Sequence, residues 1–267
     1  DQSVRSEVVE PLTNYSVLVL DQRFRKNSSV SFINTNVTRD GSFRDGNVTG
    51  LIWDLNTKAN TYNLSGDFKY SYVNENGPKT GYASSLNIGE TSGQYRYSLG
   101  GDIVTKDYDI NDLGINFQTN YYSLYGNANY RILNSTKHLN SFNVNLNSFL
   151  QFQKETGKVQ GNNFNINVNI NNKKNHYFGI GLNFNPLKSH DFYEPRVENR
   201  YVIIPTRLGG WMYFSSNYNY KFAFDFNPSF GILDEAGRNG YGFSMGPRYR
   251  FNDKFLLNYN FNFFRQN

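Results

Sequence analysis

The sequence predicts an all-β chain, an antiparallel meander belonging to a transmembrane β-barrel. Three observations carry that prediction. Apolar and polar residues alternate from end to end, the alternating runs are long enough to cross a bilayer, and the links between them alternate between short turns and longer loops.

The alternation is plainest in Phe142-Asn143-Val144-Asn145-Leu146-Asn147 and in Phe164-Asn165-Ile166-Asn167-Val168-Asn169-Ile170. It returns in Phe222-Ala223-Phe224-Asp225-Phe226, and Phe255, Leu257, Tyr259, Phe261 and Phe263 share one parity. Residues two apart lie on one side of a strand, so each run has an apolar face and a polar face. About fourteen strands follow, at 14–24, 29–38, 48–55, 61–73, 80–90, 95–104, 117–133, 139–153, 159–171, 176–185, 201–216, 221–230, 240–251 and 255–264. Many reach the roughly 9–11 residues that a tilted strand needs to span the hydrocarbon core. The rarity of proline, 7 in 267 residues, suits strands that must keep their ladder donors.

Short turns are expected at 25–27, 56–60, 91–94, 134–137, 172–175, 218–220 and 252–254. Longer links are expected at 39–47, 74–79, 105–116, 186–200 and 231–239, with 154–158 as a short exception. Outer-membrane barrels sort their connections this way, tight on the periplasmic side and longer outside. Tyr70, Tyr72 and Tyr82 beside a long link, and Phe251 and Phe255 beside a short one, suit aromatic girdles at the two rims. Under that polarity the first and last predicted strands both have an outer end as chain terminus. The expectation is therefore a 1–13 lead-in and a 14–267 barrel portion, incomplete at both ends, from a barrel of roughly sixteen or more strands.

Composition narrows the function classes. There is no cysteine, which removes disulfides and thiolate metal sites. Aromatics are 17% of residues, so Tyr and Phe carry much of the apolar character, and no apolar run is long enough for a helical span. The net charge of +5 is spread among acids, without the basic clustering that nucleic acid requires. Residues 1–14 lack the basic start and apolar stretch of a signal peptide, so the chain reads as mature or truncated. The expected partners are outer-membrane lipid and other envelope proteins, the expected location is the bacterial outer membrane, and no cofactor is expected.

The polar faces supply the candidate residues. Asp67, Lys69, Arg96, Asp102, Asp225, Arg248 and Arg250 all oppose apolar faces of their own strands. A midplane Lys or Arg on lipid costs about 2–4 kcal/mol, so these side chains are expected in a lumen. In the long links, His190, Asp191, Tyr193, Glu194 and Arg196 are candidate outer-loop contacts, with His190, Asp191 and Glu194 the one cluster where a barrel hydrolase would carry its acids. Asp107, Asp109, Asn111 and Asp112 resemble the start of a calcium loop. The turn glycine of such a loop is replaced by Asp112 and its distal glutamate by Gln118, so a solvated acidic loop is the expected outcome. His138, His176 and His190 are widely separated and read as surface histidines, not metal ligands. No nucleophile elbow, metalloprotease helix or P-loop pattern occurs.

Asp191-Phe192-Tyr193-Glu194-Pro195-Arg196-Val197 followed by Arg200-Tyr201, with Asn111-Asp112-Leu113-Gly114 and Asn14-Tyr15-Ser16-Val17, resembles a Bacteroidota family of outer-membrane proteins. In that family a domain similar to carbohydrate-binding module family 9 precedes a large C-terminal barrel. The resemblance implies an outer-membrane location and an N-terminal part outside this sequence, and it carries no binding residues onto this chain. Transport, or service as a subunit of an envelope complex, is the leading expectation. A passive porin, and carbohydrate binding or hydrolysis through the N-terminal domain, are the alternatives.

Overall fold

The computed structural model describes residues 8–197 and 199–266, so residues 1–7 of the lead-in, Glu198 and Asn267 lie outside the described residues. The chain is all-β and antiparallel, with no helix among the described residues. Its strands are β1 (Thr13–Phe24), β2 (Ser28–Arg39), β3 (Asp45–Asn56), β4 (Tyr62–Asn74), β5 (Pro78–Glu90), β6 (Tyr95–Val104), β7 (Tyr121–Ile132), β8 (Leu139–Gln153) and β9 (Val159–Asn172). They continue with β10 (Tyr177–Asn185), β11 (Ser189–Asp191), β12 (Val202–Ile204), β13 (Arg207–Ser215), β14 (Phe222–Leu233), β15 (Gly240–Arg250), β16 (Leu256–Asn258) and β17 (Phe261–Gln266). Fifteen strands form one meander sheet in chain order, passing from β10 directly to β13, with β16 and β17 both on β15. The pair β11–β12 stands apart as a two-stranded sheet.

The expected strands appear with shifts that have local causes. The predicted strand at 117–133 begins only at Tyr121, because Asn120 takes a left-handed φ of 61° that ends the extended run. The predicted strand at 201–216 is divided at Pro205-Thr206: its first part, β12, turns away to pair with β11, and β13 alone joins the main sheet. The predicted final strand at 255–264 is divided into β16 and β17, yet both keep one register on β15, from Arg248↔Asn258 through Met245↔Phe261 to Gly240↔Gln266. The gap faces Pro247, whose carbonyl accepts from Tyr259 N–H at 3.0 Å but which has no N–H to return.

The links are more even than expected. Backbone pairing runs past the hydrophobic alternation, so the links predicted at 39–47 and 74–79 shrink to 40–44 and 75–77. The long connections are 105–120 and the 186–206 segment that contains β11 and β12.

The chain divides into two compact units. The first comprises Asp1–Ile88 and Gly100–Tyr122, the second Gly89–Leu99 and Ser123–Asn267. In the first unit, Phe68, Tyr70 and Tyr72 of β4 are exposed on one face, while Asp67, Lys69, Ser71 and Val73 occupy the other. The small core of this unit lies on that second face, where Tyr108 of the 105–120 loop packs on Ala83 and Val104. In the second unit, Phe164 and Ile166 of β9 and Ile180, Leu182 and Phe184 of β10 are exposed on one face. Register places Asn147↔Asn165 and Asn165↔Asn183 on the other.

Candidate functional site

The polar faces hold the chemistry. In the second unit, strand parity brings asparagines from β7, β8 and β9 side by side, and several of their amides pair with one another. Asn127 Nδ2 donates to Oδ1 of Asn145 and Asn147 at 2.8 and 2.6 Å. Asn147 donates to Asn165 at 2.8 Å, Asn167 to Asn165 at 2.8 Å, and Asn165 to Asn163 at 3.1 Å. An amide supplies both donor and acceptor, so hydrogen bonds between asparagines can run from strand to strand. The surface is hydrophilic and carries no net charge.

Toward the short-turn end of this face, three of the residues singled out in the sequence converge. Asp225 accepts hydroxyl hydrogen bonds from Tyr213, at 3.4 Å, and from Tyr218. The Arg248 guanidinium lies 5.0 Å above the Tyr218 ring, and Arg250 donates to the Tyr218 carbonyl at 3.5 Å. The hydrogen bond to Asp225, followed by partial burial, raises the pKa of the Tyr218 phenol above its ordinary value. Tyr218 is thus the organising residue, and it sits in a turn where periodicity says nothing. Arg96 lies on the polar parity of β6, with a buried Nε that has no hydrogen-bond partner.

In the first unit, Asp67 and Lys69 form an ion pair at 2.9 Å on the polar face of β4. Asp102 shares its parity on β6 with Val104, which packs under the 105–120 loop. That loop is folded down onto the sheet. Asp109 N–H donates to Ser71 Oγ at 3.1 Å, and Ser71 is 1% exposed. A Cβ on Gly81 would overlap the backbone of Asp107 and Tyr108, so the close seating of the loop depends on a glycine there. Burial, then the charge of Asp67, pushes the Tyr108 phenol up to about 12.

Arg39 at the end of β2 and Arg44 in the β2–β3 link hold the loop. Arg44 donates to Asp112 Oδ2 from Nε and Nη2 at 3.0 and 2.9 Å, and its Nη2 reaches Asp109 Oδ1 at 3.0 Å. Arg39 Nη1 meets Asp112 Oδ1 at 2.8 Å, and Arg44 also approaches Glu75 at 3.8 Å. Burial pushes the Asp112 carboxyl up, but hydrogen bonds from Arg44 and Arg39 outweigh it and hold the pKa below the usual carboxylate value. The same bond to Asp112 raises the Arg44 pKa further. Asp109 and Asp112 therefore face guanidinium groups, and Asp109 Oδ1 also accepts from Asn111 N–H and Nδ2, each at 2.9 Å. Of the four candidate calcium ligands, Asp109 and Asp112 are thus engaged by guanidinium groups, and no group of three or more His, Cys, Asp or Glu side chains that could hold a metal ion occurs among the described residues. A carboxylate held down by two arginines is also a poor general acid.

The second long link is likewise tied down. Asn162, 3% exposed, donates to Leu187 O at 2.7 Å and Ser189 Oγ at 2.9 Å, and accepts from Leu187 N–H at 3.1 Å. His190 Nδ1 lies 3.1 Å from Val159 O, and its ring meets Tyr201 edge-on at 4.8 Å. Asp191 Oδ1 caps the N–H groups of Tyr193 and Glu194 at 2.8 and 3.0 Å. Arg196 adopts a left-handed φ of 51° and donates its N–H to Tyr193 O at 3.1 Å. Histidine and aspartate thus have separate structural partners and do not face each other as a catalytic pair. Lys158 over the Tyr201 ring, 3.9 Å from its centroid, completes the packing and carried no signal in the sequence.

The family profile described as "Domain of unknown function (DUF5916)" matches residues 1–267, and the chain belongs to that family. No curated protein matches the chain, and no solved structure does.

Proposed function

We propose that this member of the DUF5916 family forms the wall of a transmembrane β-barrel in the bacterial outer membrane, serving selective transport or an envelope complex. The observation that carries the reading is the inverted burial of the sheet. Leu99, Leu124 and Ile88 are 60%, 56% and 52% exposed, whereas Ser71, Ser123 and Asn162 are 1%, 3% and 3% exposed. A water-soluble sheet hides its apolar face; a barrel wall turns that face to lipid.

Two further features support the reading. Strands such as β4, β8 and β9, of 13, 15 and 14 residues, exceed the roughly 9–11 needed to cross the hydrocarbon core. In the second unit the apolar face gathers aromatic rings beside the short turns: Tyr95 on Tyr130 at 4.7 Å, Phe214 on Phe224 at 5.2 Å, and Tyr249 on Phe251 at 4.7 Å. Rings of this kind favour the membrane interface. The resemblance to Bacteroidota outer-membrane proteins points the same way.

The seating of loop 105–120 over a polar face favours restricted passage over free diffusion, because in a barrel that face lines the lumen. The test is fractionation of the full-length protein in a diderm host, then planar-bilayer conductance of the purified protein. Outer-membrane recovery with little or gated conductance is the expected result. Recovery in a soluble fraction overturns the barrel, and a large steady conductance replaces restricted transport with the passive porin.

A further inference from the structure

We propose that the polar face of the second unit carries a binding site for an acidic saccharide, centred on Trp211 and Arg207. The site is a cavity of about 520 Å³ lying over β10, β13 and β14, within the usual range for small-ligand pockets. Glycines form its floor. Register sets Gly209 beside Gly231 and Gly231 beside Gly240, and a Cβ on Gly231 would meet nothing within 4 Å. Two adjacent strands thus lack side chains at one spot, and the Phe264 ring leans over Gly240 at its edge.

The walls supply complementary groups. The indole of Trp211 lies against Gly179 and Gly181, its pyrrole side over Gly181 and its six-membered ring over Gly179. The indole thus rests on the strand and borders the cavity, as suits stacking against the apolar C–H face of a pyranose. Arg207 has no carboxylate partner among the described residues, while Arg238 at the rim is paired with Glu235 at 2.8 Å. The half-buried Asn183 amide and the Ser229 hydroxyl also line the cavity and have no hydrogen-bond partner in the protein. An unpaired guanidinium beside amide and hydroxyl groups and an aromatic plate matches a ligand rich in hydroxyls and bearing a carboxylate. Arg207 would take the carboxylate through two parallel hydrogen bonds, and Asn183 and Ser229 would take ring hydroxyls. The volume suits about two sugar residues, large enough for one to stack on Trp211 while the other meets Arg207. The site requires only this face of the second unit and does not depend on the membrane reading.

The test is titration of the folded full-length chain, carrying Trp53→Phe so that Trp211 alone reports, with digalacturonate and separately with neutral cellobiose. Saturable change in Trp211 fluorescence with digalacturonate, at least tenfold weaker with cellobiose, is the expected result. Arg207→Gln should weaken digalacturonate about tenfold or more, by loss of a charge-assisted pair. Gly231→Leu should abolish binding by filling the cavity from a position where the added side chain meets open space, and the sheet's circular dichroism should be unchanged. Equal affinity for both sugars overturns the acidic specificity. Absence of binding by the folded chain, or full binding by Gly231→Leu, overturns the site.

Discussion

Arg44 and Asp112, 68 positions apart in sequence, are joined by two hydrogen bonds to the same carboxylate oxygen, at 3.0 and 2.9 Å. Asp112 gains a second arginine, Arg39, on its other oxygen at 2.8 Å. Together they clasp the 105–120 loop to the end of β2 and the link that follows it. Removing Arg44 leaves a mostly buried carboxylate with one cation in place of two. Arg44→Ala should cost about 1–3 kcal/mol, below the figure for a fully buried pair because the guanidinium is partly exposed. Faster amide exchange confined to 105–120 is the expected readout, and exchange rates there equal to the parent's would exclude the clasp.

The same clasp has a pH dependence whose sign is fixed. The folded Asp112 pKa lies below its unfolded value, since the arginine hydrogen bonds outweigh burial. Its contribution is complete above the ordinary aspartate pKa of about 3.9, and it is lost as pH falls through the lower folded value. Limited proteolysis within the loop should therefore stay slow down to about pH 4 and accelerate below it. In Asp112→Asn that acid step should vanish. An acid step of the same size in the variant would place the titration on another group.

Much of this architecture was legible because strand parity is a local property. The polar residues Asp67, Asp225, Arg248 and Arg250 can be assigned to one face from their immediate neighbours, and the structure sets them opposite the exposed aromatics of their strands. The clasp was not legible, since nothing near Asp112 marks it for Arg39 or Arg44; its acidic run suggested calcium instead. The sugar-sized cavity was equally hidden. Its floor is drawn from Gly209, Gly231 and Gly240, which register alone brings together. Pro205 and Pro247 are visible as prolines, but which ladder bond each interrupts depends on the strand across from it.

Pro247 gives a direct check on that last point. β16 and β17 keep one register on β15, and the gap between them faces the proline. Pro247→Ala should restore one donor to the Tyr259 carbonyl, offset partly by a more flexible unfolded chain, for a net gain of about 0–1 kcal/mol. Amide exchange across 256–261 should slow while β13 and β14 stay unchanged. A uniform change over all the strands would argue that the proline acts through the unfolded state alone.

Gly81 connects the seating of the loop to passage through the protein. A side chain there would overlap the backbone of Asp107 and Tyr108, and a backbone cannot swing aside as a flexible side chain can. Gly81→Val therefore has two ways to resolve the clash, deforming β5 or lifting the loop. β5 is the costlier to move, because its ladder and the Ala83–Val104 packing would both be disturbed. The loop is held mainly by hydrogen bonds and ion pairs that water can replace, so it should lift, at a cost of about 1–3 kcal/mol. Tyr108 would then lose its burial, and its phenol should ionise closer to 10 than to the value of about 12 that it has when docked. An ultraviolet alkaline titration of Gly81→Val against Gly81→Val/Tyr108→Phe isolates that one tyrosine among the 21. If the polar face lines a lumen, the same variant should conduct several-fold more in planar bilayers than the parent. Conductance unchanged while Tyr108 is shown to be released would remove the loop from the passage.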